Sequence, residues 1–148
     1  MFSSDLDGLG QVRILTDRSF SSSTNLTLTE TKINLYTGVT ITNNGTLLID
    51  GGIYRVTGTP TWINAMNSVL RVTESLLLSN SIFNASAAGN IVEYNGGNQT
   101  VTMPSGNYYH LILSNAGTKT LQGNVDINGN LNVTGVTLDA SASNFNIN

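Results

Sequence analysis

The chain has 148 residues, no cysteine and a formal net charge of −3. Charged residues make up only 10%, against about a quarter in an ordinary globular domain. These figures exclude a disulfide framework and a thiolate metal site. The six Lys and Arg are scattered, which argues against nucleic-acid binding. No apolar run approaches the roughly 18 residues of a membrane-spanning helix.

Asn (20), Thr (19), Ser (15) and Gly (15) dominate the composition. The 39% hydrophobic content and its regular alternation argue against disorder. Strong helix formers are few, whereas Thr, Val and Ile favour strands and Asn and Gly favour tight turns. One all-β domain spanning 1–148 is expected. The start, Met1 into polar FSSDLDG, lacks a signal peptide's apolar stretch. The chain is therefore expected to be a mature segment, or one not exported alone.

Residues 1–24 form the least regular part. Val12 and Ile14, with Leu9, suggest one strand, and Arg18 to Thr24, with its four serines, suggests a loop. From Asn25 apolar residues alternate: Leu26, Leu28, Ile33, Leu35, Val39, Ile41, Leu47, Ile49, Ile53 and Val56. The breaks are Thr37-Gly38, Asn43-Asn44-Gly45 and Asp50-Gly51-Gly52, where residues tolerant of positive φ make a corner. Residues 58–68 hold a proline, the only Trp and Met66, and predict a longer loop or excursion. SLLLSNS (75–81) resembles HLILSNA (110–116) at a spacing of 35. From 89 to 148, the stretch expected to be most regular, Gly-Asn punctuates short strands. The stretch 121–138, LQGNVDINGNLNVTGVTL, alternates with period 2 in runs of only a few residues.

Short strands that turn a corner every few residues predict a parallel β-solenoid, or β-helix, with three faces per coil. A coil of roughly 20 to 30 residues, five or six coils in all, fits the solenoid range. Val, Ile and Leu would stack in columns inside, and Asn would form ladders at corners. An antiparallel β-sandwich joined by Asn-Gly hairpins is the alternative. Phe145 and Ile147 still alternate at the end, so the chain is expected to be a slice of a longer protein or a subunit whose ends meet neighbours.

From Ile91 onward the chain resembles repeat segments of large secreted bacterial surface proteins, the adhesin-like and haemagglutinin-like β-solenoids. The residues are VEYNGGNQTV (92–101), YYHLILSNAGTKTLQGNVDINGNLNVTG (108–135) and TLDASASNFNIN (137–148). The resemblance implies an extracellular or cell-surface scaffold, a rod, fibre or adhesin stalk. Its partners would be further copies of itself, stacked end to end, or adjoining repeats. It implies no catalytic residue.

No residue is assigned a catalytic, cofactor-binding or metal-binding role, and no enzyme activity is expected. Asp5-Leu6-Asp7-Gly8 departs from a calcium loop, because Gly8 comes two residues early and Thr16 stands where the closing Glu belongs. His110, the only histidine, has no nucleophile or carboxylate beside it in sequence. The nine carboxylates (Asp5, Asp7, Asp17, Glu30, Asp50, Glu74, Glu93, Asp126 and Asp139) are dispersed, unlike the clustered acids and bases of pectate-lyase-like β-helices. Glu93 and Asp126 are the pair that stacking would have to bring together. Tyr54, Tyr94, Tyr108, Tyr109 and Trp62 offer an aromatic platform for surface glycans, the runner-up function. Thr-x-Thr pairs begin at 27, 40, 57, 100 and 118, too irregular a spacing to predict one flat hydroxyl ladder. Asn-x-Ser/Thr sites at Asn25, Asn44, Asn84, Asn98 and Asn132 are expected by chance in this composition.

Overall fold

A computed structural model describes residues 5–6, 10–77 and 79–148. It is a β-solenoid of about six turns, without helix among the described residues. The calcium-like stretch and Leu9 fall largely outside the described residues, which include neither Asp7 nor Gly8.

Four sheets run along the axis. The first face stacks β2 (Gln11–Ile14), β5 (Lys32–Leu35) and β8 (Ile53–Arg55). The second stacks β3 (Arg18–Phe20), β6 (Thr40–Asn43), β9 (Thr61–Asn64) and β11 (Ile82–Asn84). The third is the longest: β4 (Asn25–Leu28), β7 (Thr46–Ile49), β10 (Val69–Val72), β12 (Ile91–Tyr94), β14 (His110–Leu113) and β16 (Leu131–Val133). In the upper coils β13 (Gln99–Val101), β15 (Thr118–Leu121) and β17 (Thr137–Asp139) take the first face's place in chain order. All these pairings are parallel, as the solenoid reading requires and the sandwich reading forbids. The one exception is β1 (Asp5–Leu6), which lies antiparallel along the outer edge of β2.

Paired residues are 19 to 23 positions apart, the length of one coil. The spacing of 35 between 75–81 and 110–116 is therefore not the repeat. Leu76 bridges to Ile53 on the first face, whereas His110–Leu113 is β14 on the third. The likeness records the shared chemistry of a short apolar strand followed by a Ser-Asn corner.

Two expected irregularities are also regular coil. β3 forms within the serine-rich stretch 18–24. β9 forms within 58–68, and its Trp62 is completely buried between Ile41 and Phe83 of the neighbouring coils. Conversely, Val125 and Ile127 of the punctuated stretch make only isolated bridges.

The core is a set of columns. On the third face Leu26, Leu47, Leu70, Val92, Leu111 and Leu131 align, as do Leu28, Ile49, Val72, Tyr94, Leu113 and Val133. The middle four of each column are at most 2% exposed. Period-2 alternation produces this directly: alternate side chains face the narrow interior, and stacking repeats the arrangement about 4.8 Å further on. The expected Asn stacking occurs at the corner that ends β6 and β9, with the side chains turned inward. Asn43 Nδ2 donates to Asn64 Oδ1 at 3.2 Å, and both residues are buried. Trp62 Nε1 donates to the same Asn64 oxygen.

Candidate functional sites: a step in the stack and an open end

The first face does not run through. Among the described residues it continues beyond β8 only as the Ile53–Leu76 bridge, and β13 then starts a separate sheet. At this step side chains carry bonds that a backbone ladder makes elsewhere. Gln99 Nε2 donates to the carbonyls of Val72 (3.1 Å) and Glu74 (2.9 Å). Thr102 Oγ1 donates to the Leu76 carbonyl.

Polar groups are drawn into the core at the same level. Tyr94 Oη and Tyr108 Oη lie 3.1 Å apart, the Thr102 N–H donates to Tyr94 Oη, and Tyr108 Oη donates to the Thr102 carbonyl. Burial raises both phenol pKa values; for Tyr108 the neighbouring Tyr94 adds to the rise. Lys119 is fully buried one coil beyond Gln99. Its ammonium donates to Gln99 Oε1 (2.8 Å) and to the carbonyls of Gly96 (2.8 Å), Gly97 (2.7 Å) and Ala116 (3.2 Å). Burial lowers its pKa. These two residues carry no motif. Their signal was phase: Gln99 alternates with Val101, and Lys119 with Leu121, on the inward side.

Outside, the step leaves two depressions that share Tyr54 and Ser75. One, about 300 Å³, is walled by Tyr54, Thr73, Glu74, Ser75, Asn98, Gln99 and Thr100. The other, about 170 Å³, is walled by Ile53, Tyr54, Arg55, Ser75 and Ser79. Tyr54 Oη donates to Glu74 Oε2 at 2.5 Å, and Lys32 Nζ lies 5.5 Å from the ring centroid. Partial burial, then the Glu74 acceptor and charge, raise the Tyr54 pKa.

The five-residue aromatic platform does not form. Trp62, Tyr94 and Tyr108 are core residues at 0% exposure. Tyr54 stays on the first face, and Tyr109 stands edge-to-face with His110 at 4.7 Å. Tyr36, which the sequence did not single out, is instead near the first face, with its Oη accepting from Arg13 Nε at 3.0 Å. His110 Nδ1 accepts the Asn130 N–H at 3.0 Å, a bond between coils. Glu93 and Asp126 do not meet. Glu93, on the third face, pairs with Arg71 at 2.6 Å and accepts from Ser114 and Asn95. Asp126 sits between Val125 and Ile127 and accepts from Asn148 Nδ2. Among the described residues no three metal-ligating side chains come together.

Comparison with known protein families, with curated proteins and with solved structures finds no match.

The geometry distinguishes the two ends. β1 covers the outer edge of β2 at the N-terminal end. At the other end β16 is the last strand of the third face. Leu131 and Val133 extend the two core columns there, yet they are 37% and 42% exposed.

Proposed function

We propose that the chain is a structural β-solenoid segment of an extracellular or cell-surface rod, fibre or adhesin stalk, which stacks end to end on a further coil. The exposure of Leu131 and Val133 carries this reading. In every inner coil the equivalent residues are buried by the coil that follows. An open strand edge backed by an apolar column favours addition of another strand. The opposite end offers the counterpart: β4 is the outermost strand of the same sheet and carries Leu26 and Leu28 of the same two columns. Because the sheet is parallel throughout, head-to-tail addition sets Leu131 beside Leu26 and Val133 beside Leu28 of the next unit. The covering unit is a second copy or an adjoining repeat. The resemblance of residues 91–148 to secreted surface-protein repeats supplies the extracellular setting.

Electron microscopy of the purified chain over a concentration series tests the reading. Filaments with a uniform axial repeat are expected. Discrete monomers at every concentration would remove self-assembly and leave only stacking on an adjoining repeat.

A further inference from the structure

The outer surface at the step has a chemistry of its own, independent of what happens at the ends. We propose that the cleft beside Tyr54 binds an uncharged saccharide chain.

The lining selects the ligand class. The larger depression presents one carboxylate, the amide of Asn98 and the hydroxyls of Thr73, Ser75 and Thr100, with Tyr54 as its aromatic wall. An apolar peptide or a lipid needs a predominantly apolar pocket, which this is not. A polyanion would meet the Glu74 carboxylate. A sugar ring matches both halves of the lining: its hydroxyls donate to a carboxylate and pair with amides, and its C–H face packs on an aromatic ring.

The groups are held before a ligand arrives. Tyr54 is fixed by its bond to Glu74 and by Lys32 over the ring. Asn98 Oδ1 accepts the Thr118 N–H at 2.8 Å, which orients the amide with Nδ2 as its remaining donor. Gln99 is engaged through both ends of its amide and forms the rigid base of the cleft. Groups already ordered lose little freedom on binding.

The surface beyond the cleft gives the chain a path. Thr100 stacks on Thr120, and Thr118 on Thr137, in consecutive coils. Thr100 and Thr120 thus form one short column that starts at the cleft and ends in Asp139, and Thr118 and Thr137 form a second column beside it.

The test is an array of neutral and anionic glycans probed with the full chain, followed by calorimetric titration with the best neutral ligand. Tyr54→Ala and Glu74→Ala should each weaken binding by about tenfold, the order expected for losing a stacked ring or a charged acceptor. Tyr54→Phe should retain the stacking share. Asn98→Ala, at an exposed site, repeats the test without risk to the core. Tyr109→Ala, an aromatic in the bend just before β14 and not among the cleft's lining residues, should leave affinity unchanged. The proposal fails if no neutral glycan is retained, if only polyanions are, or if neutral binding survives Tyr54→Ala and Glu74→Ala together.

Discussion

Lys119 stacks on Gln99 in consecutive coils, and its ammonium donates to the Gln99 side-chain oxygen over 2.8 Å. Gln99 in turn bonds the two carbonyls across the step. Among the described residues this charge, at 0% exposure, has no carboxylate partner and is satisfied by oxygen dipoles. Lys119→Met keeps an unbranched four-atom stem and removes the ammonium donor. The carbonyls of Gly96 and Gly97 then lose a buried partner, and the loss expected is about 2–4 kcal/mol. Urea unfolding measures it; a change below about 0.5 kcal/mol would mean that water replaces the ammonium at no cost.

Alkaline pH should unfold the protein through Tyr94 and Tyr108. Both native pKa values lie above the ordinary value near 10. The native state therefore keeps protons that the unfolded chain releases. This contribution is fully present below about pH 10 and is lost as pH rises through the native values. Lys119 acts in the opposite sense, since its native pKa is lowered. Just below its ordinary value of about 10.4 the unfolded chain holds more protons, so stability rises with pH in that window. Urea midpoints from pH 7 to 11.5 should therefore hold or rise up to about pH 10 and fall beyond it. Lys119→Met should abolish the rise and leave the fall. A midpoint indifferent to pH above 10 would contradict the buried phenol pair.

Gly52 closes the corner before β8 at φ +79°, where a Cβ would lie 2.6 Å from the Ser75 carbonyl oxygen. Gly52→Ala meets both positive-φ strain and a backbone collision, so a loss of more than about 1 kcal/mol is expected. Gly38→Ala is the control: its φ is +73°, but nothing lies within 4 Å of the added carbon. Thermal melts should rank the two with Gly52→Ala clearly the lower. Equal losses would assign the whole effect to φ.

End-to-end stacking predicts that Leu131→Lys and Val133→Lys dissociate assemblies without weakening the monomer. Both side chains are exposed in the single chain, so the substitutions cost it little. In a stacked joint they would bury charge in an apolar column. Sedimentation velocity reads the distribution of species. Unchanged assembly in the double variant would exclude β16 as the joint.

The sequence alone determined the solenoid. Strict alternation in short runs fixes which side chains face inward, and Asn-Gly and Asp-Gly fix where the chain turns, because both are local consequences of backbone sterics. The aligned columns from Leu26 to Leu131 follow from that alternation. Tertiary structure alone decided phase. Which strands stack depends on the summed length of corners and faces, so the coil of 19 to 23 residues, at the short end of the expected range, does not coincide with the likeness at spacing 35. It also decided burial among residues of one type. Trp62, Tyr94 and Tyr108 are core, and Tyr54 is surface, because each strand's phase sets its direction. The step at Gln99, with Lys119 inside and the Tyr54 cleft outside, arises where one sheet ends and another begins. No local pattern marks that place, since it depends on how two coils distant in sequence fit together.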